Sequence, residues 1–197
     1  MSAGGAVFVN ARLHELNLKI VYYGPALSGK TTNLQFIHAR TNPQLRSDLV
    51  SLKTREDRTL YFDYMQLELG EIKGLKPRFS LYTVPGQVQY AATRRLVLQG
   101  ADGVVFVADS EAGRFAENLW CLSGLDRYLR EMGLGLWRFP LVLQCNKQDL
   151  PSALRPEVLM ARLGWRDVPC LGATAANGPG VIETLKTIIH QVVHSLG

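Results

Sequence analysis

Apolar residues along this chain follow two rhythms, short continuous runs and stripes at helical spacing. Leu18 to Tyr23 is an apolar run that enters a glycine-bearing loop, and Thr31 to Arg40 reads as a helix with Leu34, Phe36 and Ile37 inward. Residues 41–58, with Pro43, scattered charges and no clear period, read as a long exposed connection, which in a compact domain is usually functional. Leu60 to Leu69 and Arg78 to Val84 are strand-like and are separated by the turn-rich Gly70 to Pro77, so they are expected to pair as the one antiparallel hairpin. Beyond it the pattern alternates: strand Gly103 to Ala108, helix Arg114 to Glu131, strand Pro140 to Cys145, helix Pro156 to Leu163, strand Val168 to Ala173. A last helix carries Val181, Ile182, Leu185, Ile188, Ile189, Val192 and Val193 as one stripe. Near-continuous apolar strands alternating with helices imply a mostly parallel sheet covered on both faces, an α/β three-layer fold. With no repeat or linker in its 197 residues, the chain is expected to form a single domain over 1–197.

Composition changes this picture little. The chain is 47% hydrophobic and 20% charged, which is ordinary for a globular protein. Net charge is +5, but Lys and Arg are scattered among acids instead of forming a basic run, so no nucleic-acid partner is expected. Cys121, Cys145 and Cys170 are odd in number and form no C-x-x-C pair, which argues against a disulfide framework or zinc site and for free thiols in a reducing cytoplasm. No apolar run reaches the length of a signal peptide or membrane span, and neither Ser2 nor the final Ser195-Leu196-Gly197 signals lipidation. A cytoplasmic protein without an intrinsic membrane anchor is expected, with any visit to a membrane or cell pole left to partners.

Candidate chemistry changes the picture most. Gly24-Pro25-Ala26-Leu27-Ser28-Gly29-Lys30-Thr31 matches G-x-x-x-x-G-K-[ST] directly after a predicted strand and before a predicted helix. Glycine at both ends lets the backbone curl so that its N–H groups face phosphate oxygens, helped by the positive end of the following helix. Lys30 supplies a cation for the β- and γ-phosphates, Thr31 a hydroxyl for Mg²⁺, and the adjoining Leu27, Ser28 and Thr32 belong to the same cradle. The base is indicated further on, where the strand ending at Cys145 is followed by Asn146-Lys147-Gln148-Asp149. The Asp149 carboxylate suits the two donors of guanine N1–H and N2, which adenine lacks. Asn146 can tie this loop to the phosphate loop, the Lys147 stem can cover a ring face, and Ala175 can offer a backbone N–H to guanine O6.

These motifs and their order resemble the Ras-like small GTPases and, more closely, the bacterial MglA-type gliding and polarity GTPases. The resemblance covers nearly the whole chain. It rests on Lys19 to Pro25, Gly29 to Leu34, Asp57-Arg58-Thr59-Leu60-Tyr61-Phe62-Asp63, Leu81-Tyr82-Thr83-Val84-Pro85-Gly86-Gln87 and Val105 to Ser110. It implies a P-loop NTPase fold with a Ras-like, six-stranded, mostly parallel sheet and one antiparallel strand. It implies GTP and GDP as substrate and product, with Mg²⁺ as cofactor. It makes Thr59 the switch I threonine on Mg²⁺, Arg58 an intrinsic arginine finger, Gln87 the residue orienting the attacking water, and Gly86 a backbone N–H for the γ-phosphate. Taken without the resemblance, Arg58 also reads as a solvated surface charge.

Two departures stand out. Where Ras-like proteins carry Asp in D-x-x-G, this chain has Thr83, and the resemblance makes Asp63 the compensating acid for magnesium, against the plainer reading of a surface-facing strand acid. Ala26 replaces a glycine close to the γ-phosphate; it either crowds Arg58 or Gln87 and slows hydrolysis, or the loop adjusts. The resemblance implies slow hydrolysis accelerated by a Roadblock/LC7-domain (MglB-like) activating protein, with polarity or motility effectors. The rival expectation is a GTP-binding regulatory or scaffold module whose chemistry is impaired.

Overall fold

Each apolar run closes into a strand and each stripe into a helix. The computed structural model describes residues 8–10, 15–53, 61–72, 74–136 and 139–196. In chain order the elements are β1 (Phe8–Asn10), β2 (Glu15–Tyr23), α1 (Lys30–Arg40), β3 (Val50–Lys53), β4 (Tyr61–Glu68), β5 (Lys76–Thr83), α2 (Ala91–Leu98), β6 (Gly103–Asp109), α3 (Phe115–Glu131), β7 (Leu141–Asn146), α4 (Pro156–Arg162), β8 (Cys170–Gly172) and α5 (Val181–His194). The sheet order is β3-β4-β5-β2-β6-β7-β8, with β1 paired to β2. Neighbours from β5 to β8 are parallel, and β4 runs antiparallel to both β5 and β3.

The α/β class and the hairpin are as expected, but among the described residues the sheet has eight strands, not six. The added strands are β1, antiparallel to β2, and β3, inside the stretch read as an irregular connection. Val50 and Leu52 do alternate in β3, yet they are 43% and 44% exposed, because an edge strand with one solvated face needs little apolar density. Helix α2, a further element beyond the sequence expectation, packs Val97 and Leu98 inward.

Alternation along the central strands divides the core in two. Val21 and Tyr23 of β2, with Val104 and Phe106 of β6, face α2, α3 and α4. Leu18, Ile20 and Tyr22, with Val105 and Val107, face Leu34 and Ile37 of α1 and Leu185, Ile188 and Val192 of α5. β6 and β7 are buried at every position, as strands covered on both faces must be. Cys145 and Cys170, distant in sequence, are thiols 3.7 Å apart across β7 and β8. Among the described residues no helix is long and apolar enough to cross a membrane.

Candidate nucleotide site

The parallel strands β2, β5, β6, β7 and β8 end at one edge of the sheet, the edge where open α/β folds hold ligands, and the loops that follow them converge there. The loop after β2 runs from Gly24 to α1. Gly29 has φ 98°, and a Cβ on it would stand 2.1 Å from the Asn146 Nδ2, so both its conformation and its neighbour require glycine. Lys30 opens α1 with its ammonium inside the loop, donating to the carbonyls of Gly24 at 3.0 Å and Pro25 at 2.6 Å. Burial pushes this ammonium down to about 8, because an unscreened cation is disfavoured away from water.

Beside it, three hydroxyls converge on one acid. Asp63 of β4, 8% exposed, accepts from Thr31 Oγ1 at 2.6 Å and from Thr83 Oγ1 at 2.9 Å on Oδ2, and from Ser51 Oγ at 2.6 Å on Oδ1. Its own N–H donates to Thr83 Oγ1 at 2.8 Å. Sheet register produces this convergence: Ser51 pairs with Asp63 across β3 and β4, and Thr83 lies one step beyond the Tyr64 and Tyr82 pair across β4 and β5. The Asp63 carboxylate thus lies beside Thr83, on the neighbouring strand. Ser51 escaped sequence reading because only the β3 register brings it to the acid.

Lys30, Thr31, Asp63, Thr83, Gly86 and Gln87 line a cleft of about 710 Å³ that also includes Ala26 and Ser51. Gln87 is exposed at its rim, where its Oε1 accepts from Gln89 Nε2 at 3.3 Å. Gly86 lies against the phosphate loop, where an added Cβ would sit 2.1 Å from the Ala26 N. The turn carrying both is held from α2 by the buried Arg94, which donates to the carbonyls of Gln87 at 2.5 Å and Pro85 at 3.3 Å. No sequence signal marked Arg94, whose bonds to this turn go to backbone carbonyls. Arg58 and Thr59 lie outside the described residues.

A second cleft, of about 240 Å³, shares Leu27 with the first and is lined by Gly29, Thr32, Asn146, Lys147, Asp149, Ala175 and Ala176. Asn146 is buried and joins two loops, its Nδ2 donating to Ser28 O at 2.7 Å and its Oδ1 accepting from Ala175 N at 2.8 Å. Through that second bond the Ala175 N–H is engaged by Asn146, and Ala175 itself lines the cleft. Asp149 is exposed within this cleft, and Lys147 Nζ contacts Asp109 Oδ2 at 2.6 Å. The arrangement offers buried positive charge and hydroxyls at one end and an accessible carboxylate at the other, which is the polarity of a guanine nucleotide laid along the loop.

Comparison with known proteins agrees with this geometry. The model of the ADP-ribosylation factor family matches residues 5–192. The chain is 50% identical over 189 residues to the mutual gliding-motility protein MglA of Myxococcus xanthus (strain DK1622), covering 96% of this chain and 97% of that protein. It is 26% identical over 187 residues to human ADP-ribosylation factor-like protein 4D, covering 91% and 85% of the two chains, and 27% identical over 173 residues to the bovine protein of the same name. The family match spans nearly the whole chain and the bacterial relative is half identical over almost its full length, and so the chain belongs to the ADP-ribosylation factor family as a small GTPase of the MglA-like kind.

Proposed function

We propose that the chain is a single-domain molecular switch that binds GTP and GDP with Mg²⁺ in the two joined clefts, hydrolyses GTP slowly, and is accelerated by a Roadblock/LC7-domain, MglB-like partner. The observation that carries the metal reading is the set of hydroxyls around Asp63, since Thr31, Ser51 and Thr83 all donate to that one buried carboxylate. Hydroxyl and carboxylate oxygens are the hard donors Mg²⁺ takes together with phosphate oxygens, so the residues fit the ion. Thr31, Thr59 and Asp63 are the residues that would hold it, and it would supply positive charge against the phosphates.

Lys30, already inside the loop, balances charge on the β- and γ-phosphates. Gln87 orients the attacking water from the cleft rim, and Arg58 neutralises charge spreading over the transferred group. Asp149 selects guanine through N1–H and N2, Asn146 keeps the base loop on the phosphate loop, and Ala175, in the same cleft, stands beside the guanine O6. Loss of the γ-phosphate then releases the segments around residues 41–63 and 83–95 and alters the surface offered to effectors. The relative named for gliding motility supports a role in polarity or motility, with cytoplasmic placement and recruitment to a pole or membrane by partners.

One observation favours the second reading, a GTP-holding module with impaired turnover. The Gly86 backbone rests on the Ala26 backbone, so the residue that carries the extra methyl is itself in contact with the Gly86 turn. Single-turnover phosphate release separates the two. The switch reading expects release on the order of 10⁻⁴ s⁻¹ alone, faster with a Roadblock-type partner and abolished by chelation. Tight GTP binding with no release under either condition would establish the module instead.

A further inference from the structure

Two ionic side chains, Asp109 and Arg114, connect the loops just described. Asp109, the last residue of β6, is wholly buried. Asn118 of α3 fixes its backbone, accepting from Asp109 N at 2.9 Å and donating to Asp109 O at 2.8 Å, while Glu111 N donates to its Oδ1 at 3.1 Å. The other oxygen, Oδ2, lies between two cations, Lys147 Nζ at 2.6 Å and Arg114 Nε at 3.8 Å. Arg114, in the turn Ala112–Arg114, then reaches the phosphate loop, where its Nη2 donates to Ala26 O at 3.2 Å. Its Nη1 pairs with Glu117 at 2.5 Å.

A buried carboxylate is costly unless it is paired, and both partners of this one lead into loops that a nucleotide would touch. Lys147 holds φ 69°, a left-handed conformation uncommon for a residue with a side chain, while its ammonium pairs with Asp109. On the other flank Asn146 ties Ser28, so Leu27, with φ 63° and 83% exposed, is the crest of a loop held on both sides.

We propose that Arg114 is a positioning residue of the nucleotide site, acting with Asp109 as a charged strut between Ala26 at the phosphate end and Lys147 at the base end. The inference rests on the reading that a guanine nucleotide occupies this site. The three guanidinium nitrogens are taken by Asp109, Glu117 and Ala26, so Arg114 acts through the loop and not on a phosphate. Holding the Ala26 carbonyl outward leaves the loop's N–H groups facing inward, where anionic oxygens are bound. Loss of that hold weakens the grip on the γ-phosphate more than the grip on the rest of the nucleotide. Loss of Asp109 loosens both ends, and base discrimination falls as well.

The test is the affinity of the full chain for GTP, GDP and inosine diphosphate, which lacks the N2 amino group, measured with melting temperature for wild type, Arg114→Ala, Arg114→Lys and Asp109→Asn. Arg114→Ala is expected to weaken GTP about fivefold and GDP less than about twofold, and Arg114→Lys to recover part of the GTP loss. Asp109→Asn is expected to lower, in addition, the preference for GDP over inosine diphosphate by about threefold. A merely structural role would lower the melting temperature and weaken GTP and GDP alike, and that result, or no change in Arg114→Ala, overturns the strut. The two Arg114 variants decide the matter even if Asp109→Asn fails to fold. Wild-type protein that binds no guanine nucleotide would remove the reading of the site itself, and the strut with it.

Discussion

The two halves of the sheet, on either side of β2, are built to different standards. On the base side, β6 and β7 are buried at every position and their loops are tied by Asn146, whose partners are a carbonyl and an N–H of neighbouring loops. On the switch side, β5 alternates between buried and partly exposed positions, β3 is a short edge strand with exposed Val50 and Leu52, and the contacts to Asp63 come from side-chain hydroxyls. Groups that read a base must be stationary, and strands covered on both faces supply that rigidity. Groups that respond to a phosphate must exchange partners, and hydroxyl contacts on a half-solvated sheet can do so at small cost.

This contrast can be broken in four ways, in decreasing order of effect. Leu143→Ala, in the fully buried β7, is expected to lower unfolding free energy by about 2–5 kcal/mol, whereas Leu52→Ala in β3 stays within about 0.5 kcal/mol, as read by denaturant melts. Equal losses would dissolve the distinction. Asp149→Asn should cut the preference for GTP over ATP by about 10²-fold in competition binding, with little change in melting temperature. On the switch side, Asp63→Asn is expected to weaken Mg²⁺-dependent GTP binding by about tenfold, since the amide replaces one acceptor oxygen with a donor facing hydroxyls; affinity measured in chelator should change far less. Smallest is Ala26→Gly, for which single-turnover hydrolysis rises by a few-fold, about 1 kcal/mol of barrier. An unchanged rate would show that the methyl does not crowd the site.

What the sequence disclosed, it disclosed through local spacing. The phosphate loop, the Asn146 to Asp149 loop and the alternating strands each depend on residues adjacent in the chain, and an aspartate in an otherwise apolar strand was already anomalous at Asp63. Features that depend on register or on backbone partners were not legible. Ser51 joins Asp63 only because β3 pairs with β4, Arg94 acts on two carbonyls, and Arg114 meets Ala26 from 88 residues away. The Ala175 N–H shows the same limit, since its engagement with Asn146 is a fact of loop packing that no motif encodes.

The approach of Gly86 to Ala26 has a consequence for how this protein can vary. The atoms a Cβ at 86 would strike are the N and Cα of Ala26 and the carbonyl carbon of Pro25, so the contact is main chain against main chain. Side-chain substitution, the usual means of grading an interaction in small steps, has no purchase on it. Any residue other than glycine would hold the two segments apart, and no choice of side chain could bring them closer. Natural drift can therefore abolish this contact but not tune it, which leaves the adjustable part of the switch to the hydroxyls and the acid beside it.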